Sequence, residues 1–492
     1  MRRAIPTLVL SAVLVAATVA TAGEIPPRPE QLKFPPLTFQ VPDASAMRFE
    51  LGNGIPVYAR PDRQLPLVTV TVLFRGGSYL EPEGKEGLAS LAGEVWRTGG
   101  AGDRTAQQLD EDLDFLAADL STSIGDVSGS VRLNVLSKDL DEAMGILMDV
   151  LMRPRFQEDR FTKAKDDLIQ EMKRRNDDTA DIERREWSRL VYGDGFWANR
   201  LATKASVDAI TVDDAQGLVA RLMHAGNVVV AVSGDFERDA IKAMLERTLG
   251  TLPKGGDTVP PPPADVQQAE PGVYVVNKPD VNQGRVSAGQ LGVKLGDPDE
   301  FALRVGNDIL GGGGFTSWIT LRVRSDEGLA YHAASYFTFP VAYPGYFRAV
   351  FQSKSRTCPG ALGITMELIE KIRSEKVSDD ELKTSKASFV DTFPRRFESA
   401  ERTAAIFARD ELMGIPHSYW TEYRKKVEAV TPDAIQAAMK RHLDPSKMVI
   451  LVVGNIDEIM KGHPDYRWKL TDFGPIHRVP LRDPLTLEPL EE

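Results

Sequence analysis

Thr211-Val212-Asp213-Asp214-Ala215-Gln216 runs through Arg221 to Asn227-Val228-Val229-Val230-Ala231-Val232-Ser233-Gly234-Asp235, and it has a counterpart. Thr431-Pro432-Asp433-Ala434-Ile435-Gln436 runs through Arg441 to Lys447-Met448-Val449-Ile450-Leu451-Val452-Val453-Gly454-Asn455. The offset is 220 residues throughout, and Thr, Asp, Gln, Arg, Val and Gly recur in register. Each copy reads as a capped helix, then a continuous apolar strand, then a glycine turn. The period is far too long for a solenoid, so the chain holds two homologous domains of about 200 residues each.

The segment between the copies agrees. Pro253, Lys254, Gly255, Gly256 and Pro260 to Pro263 cannot join a helix or a central strand and should form a stiff extended spacer. The expected boundaries are a first domain at 46–250, a Pro-rich linker at 251–270, a second domain at 271–458 and a C-terminal tail at 459–492 that reads as a surface strap. In the first half, 67–74 reads as a strand and 128–136 alternates as another. Residues 86–97 place Leu88, Leu91, Ala92, Val95 and Trp96 on one helical stripe, and helical patterns follow at 139–152 and 157–178. Strands with helices grouped between them predict an α+β fold, each domain a mainly antiparallel sheet backed by helices.

Residues 1–22 read as a signal peptide. Arg2 and Arg3 precede an apolar run from Ile5 to Val19, and Ala20-Thr21-Ala22 offers a cleavage site before an N-terminal extension at 23–45. An uncleaved anchor is the alternative. The expectation is export, most simply to the periplasm, with no membrane span after cleavage. The 492 residues carry 60 Lys+Arg against 71 Asp+Glu, and the net charge of −11 argues against a nucleic-acid groove. The single cysteine, Cys358, excludes an intrachain disulfide and Cys-rich metal sites, and reads as a buried small hydrophobe. The six histidines are His224, His332, His417, His442, His463 and His477, and no two lie within five positions. A local two-histidine zinc helix therefore cannot form. His224 and His442 close helices, where a positive imidazole suits the negative end of the dipole.

The succession Leu51-Gly52-Asn53-Gly54, the strand at 67–74, Gly76-Gly77-Ser78 with Glu81, and Gly87-Leu88-Ala89 closely resembles the first domain of the insulinase, pitrilysin and mitochondrial-processing-peptidase family. In active members the helix that follows carries H-x-x-E-H, two zinc ligands with a catalytic glutamate, and a distant glutamate completes the site. Here those positions hold Ser90, Gly93 and Glu94, with Glu171 at the distant ligand position. Two carboxylates without imidazole do not assemble a hydrolytic zinc, so the resemblance implies a catalytically dead half.

The second half reads Gly311-Gly312-Gly313-Gly314-Phe315-Thr316-Ser317, then Leu321-Arg322-Val323-Arg324-Ser325-Asp326-Glu327-Gly328-Leu329-Ala330-Tyr331. No Gly-Lys-Ser/Thr follows the glycines, so a phosphate loop is set aside. The string is similar to the family's second-domain signature, in which an arginine and a tyrosine seven residues later contact substrate; Arg324 and Tyr331 match. Trp318 departs from the small polar or basic residue usual there, and His332 is a candidate lining residue. In one branch of the family two such chains pair as a clam-like heterodimer, one bearing zinc and the other the Arg and Tyr. The resemblance thus implies half of a clam-shell: a non-catalytic subunit that binds no metal itself, with zinc in the partner subunit and unfolded peptide as substrate. The alternative is a structural or peptide-binding scaffold of the same fold, and a third reading is a self-sufficient peptidase with a carboxylate metal site.

Overall fold

The two threonines that open the repeat do what their chemistry favours. In the computed structural model, Thr211 and Thr431 are N-caps whose side chains accept from the backbone N–H groups of Asp214 and Ala434, starting helices Val212–Leu222 and Pro432–His442. The structure describes Arg28, Leu32, 38–255 and 259–490; the signal segment at 1–22 lies outside these residues. From Gln40 onward the chain forms one compact unit.

Among the described residues, twelve strands make two sheets. The first contains β1 (Arg48–Glu50), β2 (Pro56–Pro61), β3 (Leu67–Arg75), β4 (Asp119–Ile124), β5 (Ser128–Leu136) and β6 (Val228–Gly234) in the order β1-β2-β6-β3-β5-β4. The second contains β7 (Gly272–Asn277), β8 (Gln283–Leu291), β9 (Ala330–Phe337), β10 (Tyr346–Lys354), β11 (Val449–Gly454) and β12 (Ile476–Arg478) in the order β12-β7-β11-β8-β10-β9. Five strands of each sheet follow one topology, as a duplicated sequence requires. Pairing is antiparallel except β2 with β6, β7 with β11, and β7 with β12. The fold is the expected two-sheet α+β arrangement. The tail does more than strap the surface, because β12 adds a parallel edge strand beside β7.

The repeat strands β6 and β11 are apolar at nearly every position because both faces of each are covered. On the first sheet, Val228, Val230 and Val232 join the main core, while Val229, Ala231 and Ser233 are buried outside it. The helix packed against β6, β2 and β3 is Ala400–Met413, which comes from the second half of the sequence. The matching helix of the first half, Thr179–Tyr192, packs against β8 and β11 of the second sheet. Both helices have 14 residues and a polar N-cap, Asp178 and Ser399. The halves therefore exchange one helix each, and Val276, Val449, Leu451 and Val453 join the core of the first half.

Charged networks lock the exchange. Glu183, on helix Thr179–Tyr192 and fully buried, accepts from Ser287, from Arg348 Nη2 on both of its oxygens and from Arg285 Nε at 3.2 Å. Reciprocally, Glu411 accepts from Arg48 Nε at 3.0 Å and from the Tyr58 hydroxyl at 2.5 Å. Residues 259–270 of the linker carry no helix or strand and are held by the Pro260 and Pro263 carbonyls, which accept from the Tyr79 hydroxyl and the Trp197 indole.

His224 departs from its expected role. It is buried and neither ring nitrogen has a hydrogen-bond partner. Burial, then the charge of Arg75, holds its pKa below the ordinary 6.5. A depressed folded value means that this imidazole contributes stability above pH 6.5 that is lost as pH falls through the folded value. Urea denaturation at pH 7.5 and 5.0 should therefore show a loss for the wild type that is smaller in His224→Leu; equal losses would refute the assignment. Cys358 is buried as expected, its thiol pushed up to about 12 by desolvation.

Candidate functional site

The helix that carries the three positions of the degenerate motif spans Leu88–Thr98. Its start is organised by Glu81, a buried carboxylate that accepts from the backbone N–H groups of Ala89 at 2.7 Å and Gly87 at 3.2 Å. Leu88, Leu91, Ala92, Val95 and Trp96 face the core, which leaves Ser90 and Glu94 exposed one turn apart. Gly93 is buried against edge strand β4. A Cβ built on it would stand 2.7 Å from the backbone nitrogen of Ile124, and its carbonyl accepts from the Thr122 hydroxyl at 2.7 Å. The space a glutamate would need is already filled by strand backbone.

Although Glu94 reaches solvent, partial desolvation against the helix surface lifts its carboxyl above the usual range, and the charges of Asp167 and Glu171 push the same way. Glu171 sits exposed near the end of helix Glu158–Lys173. A hydroxyl, a hydrogen and two repelling carboxylates do not fit zinc, which wants imidazole or thiolate with an open fourth position. Among the described residues, Asp297, Asp299 and His442 form the one triad of potential ligand atoms within 4.8 Å of one another. It lies at a helix end, where His442 Nε2 sits 2.8 Å from an Asp299 oxygen to which Arg441 also donates. That arrangement is an ion-pair cluster, in keeping with a basic residue at a helix C-terminus.

Arg324 and Tyr331 are brought together. Arg324 lies in a wide helical turn, Thr320–Asp326, and Tyr331 near the start of β9. The hydrogen bond from Leu329 N to the Val323 carbonyl, 2.8 Å long, closes the loop between them. The guanidinium stands 4.5 Å from the Phe315 ring centroid and 4.9 Å from that of Tyr331. Arg322 takes the nearby carboxylates of Asp326 and Glu327, so Arg324 is held by ring faces rather than by an ion pair. Phe315 is 66% exposed and Tyr331 86%, an unusual outlay of aromatic surface. With Thr320, His332 and Tyr336 they line a cavity of about 240 Å³ at the free edge of the second sheet.

The glycine run serves this shape. Gly311 allows a wide helical turn to press against β9, since a Cβ there would lie 2.5 Å from Ser335 N. Trp318 does not reach the cavity. Its indole donates to Glu381 at 2.6 Å and its ring lies beneath Lys371, so it does not line the cavity.

Two family models match. The insulinase model, peptidase family M16, covers residues 57–201, and the model for the peptidase M16 inactive domain covers 209–389. The chain belongs to the insulinase family, M16. Within it, the non-peptidase homolog YmxG of Helicobacter pylori is 25% identical over 84% of this chain and 95% of its own length. The crystal structure of a peptidase M16 inactive domain from Pseudomonas fluorescens superposes with a TM-score of 0.72 at 24% identity, over 83% of this chain and 97% of that one. The periplasmic protease PqqL of Escherichia coli gives the same TM-score at 15% identity, over 82% of this chain but 45% of its own. Among the described residues no helix is long and apolar enough to cross a membrane. Sequence reasoning singled out Arg324 and Tyr331, which the structure places side by side, but not Phe315, the second ring on the guanidinium, whose place between a glycine run and an arginine was the available signal.

Proposed function

We propose that this chain is the non-catalytic subunit of an exported, heterodimeric zinc peptidase. In this reading it presents Arg324 and Tyr331 to an active site whose zinc and general base sit on a related partner subunit. The observation that carries the reading is the contrast between its two halves. The motif helix is closed by β4 at Gly93, while Arg324 is poised between exposed aromatic faces at an open sheet edge. The guanidinium offers donors to peptide carbonyls, and the phenol can donate to a developing oxyanion. An unfolded peptide would add as a strand along β9, gaining backbone hydrogen bonds with little sequence readout. That this chain matches less than half of the PqqL chain supports an architecture with room for two such units. That PqqL is a periplasmic protease supports the address read from residues 1–22.

The test is co-purification with the exported zinc-bearing partner, a metal count per chain and a peptide-cleavage assay. Arg324→Ala in the complex should lower kcat/KM about 100-fold, the scale for a lost transition-state donor. Zinc content and complex formation should stay unchanged. Robust chelator-sensitive cleavage by the isolated chain would overturn the division of labour. The name of the Helicobacter relative, a non-peptidase homolog, favours a second reading as a peptide-binding scaffold. That reading wins if the chain binds unfolded peptide and pairs with no zinc-bearing chain.

A further inference from the structure

A cavity of about 570 Å³ lies beside the end of helix Glu158–Lys173 and along helix Thr179–Tyr192. Its charge is unevenly satisfied. Of the five arginines that line it, Arg184 pairs with Asp181 at 3.1 Å, Arg185 with Glu186 at 3.0 Å and Arg189 with Asp194 at 2.6 Å. Arg174 and Arg175 have no carboxylate within ion-pair distance among the described residues. Arg174 is exposed. Arg175 is fixed, because its Nη1 donates to the carbonyls of Ala202 at 2.7 Å and Pro484 at 3.1 Å. Those bonds use one nitrogen and leave the rest of the fork to the cavity.

The electrostatics at Arg175 favour an anion. Burial depresses its proton affinity first, the Arg185 charge second, and Glu171 opposes them with a smaller effect. A guanidinium crowded by another guanidinium gains when an anion enters between them. The acids in the wall are Asp126, Glu171 and Asp181, the last already paired with Arg184. The planar fork of Arg175 matches the two oxygens of a carboxylate, and one negative charge serves the two arginines that lack a carboxylate partner. The volume is in the range that holds a residue or two of peptide.

We propose that this cavity is a carboxylate-binding site, with Arg175 as the fixed fork and Arg174 closing over the ligand from solvent. The ligand is a peptide carboxylate, borne at its C-terminus or on an acidic side chain. The site is complete in this chain and needs no partner subunit.

The test uses the purified full chain and isothermal titration calorimetry. Three probes are compared: a short unstructured peptide with one glutamate and a free C-terminus, its C-terminal amide, and the version with glutamine for glutamate. The first should bind and one of the others should lose at least tenfold in affinity, the amide if the terminus is read and the glutamine form if the side chain is. Arg174→Gln should weaken binding several-fold, and Arg175→Lys at least tenfold, because lysine keeps the charge but not the fork. Arg174 is exposed, so its variant tests the idea even if Arg175→Lys folds poorly. Equal binding of all three peptides, no binding of any, wild-type affinity in Arg174→Gln, or tighter binding of inorganic phosphate would each overturn the assignment.

Discussion

Glu183→Ala is expected to remove about 3–5 kcal/mol of stability, the scale for breaking a buried pair and leaving its partner charged. The carboxylate is 1% exposed and serves three donors on the second sheet. Alanine leaves the Arg348 guanidinium, 13% exposed, with the Ser287 hydroxyl and the Trp187 ring as its remaining neighbours. A domain's whole stability is roughly 5–15 kcal/mol, so the loss is a large share of it. It falls on the contact that joins a helix of one half to the sheet of the other. Guanidinium denaturation of the purified variant should show a lower midpoint, and a second transition should emerge if the halves uncouple. Arg348→Met added to Glu183→Leu should recover much of the loss, because an apolar pair of similar volume avoids both desolvation penalties. A loss below about 1 kcal/mol in the alanine variant would mean that Glu183 is solvated and the network idle.

The same residue shows why part of this fold was not legible in the sequence. The repeat was legible because N-caps, an apolar run and a glycine turn are local signals, and their 220-residue offset survives divergence. A helical stripe says that a face must be buried, but not against which sheet. Nothing in the sequence assigns Thr179–Tyr192 or Ala400–Met413 to the sheet of the other half, and their exchange is a tertiary fact. Helix 157–178 was read too long for a related reason. Arg174 to Asp178 continue its polar face in the sequence, whereas the chain turns there and restarts on the Asp178 cap. Charged residues between 174 and 189 look like a solvated face, so neither the Glu183 network nor the arginine cavity announced itself.

At the site, residue identity carried further than geometry. Substituting Ser90, Gly93 and Glu94 into a zinc motif removes the chemistry whatever the backbone does, and that was readable at once. The contact between Gly93 and β4 was not, since a glycine inside a helix looks like a weak spot rather than a close approach. The cradle around Arg324 was half readable: the spacing to Tyr331 was visible, the second ring on Phe315 was not.

Restoring the motif should therefore fail for a steric reason, and Gly93→Ala isolates it. Helix propensity alone favours alanine over glycine by about 0.8–1.0 kcal/mol. The added methyl, however, lies 2.7 Å from Ile124 N and 3.4 Å from the Ser123 carbonyl carbon, atoms of strand backbone that cannot rotate aside. Overpacking of this kind costs about 1–3 kcal/mol, so alanine at this position is expected to destabilise despite its propensity. Gly145→Ala, in helix Leu140–Met152 with nothing within 4 Å of its would-be Cβ, keeps the propensity gain and should stabilise by about 0.5–1 kcal/mol. Opposite signs for two glycine-to-alanine changes in helices of one protein, read by urea denaturation, are the signature of the β4 contact. The triple variant Ser90→His, Gly93→Glu and Glu94→His should lose about 3 kcal/mol or more and hold well under one zinc per chain, because its glutamate must displace β4 before the imidazoles can converge. Stoichiometric zinc with chelator-sensitive cleavage in that variant would show that only side chains, and not the strand packed against the helix, keep this half inert.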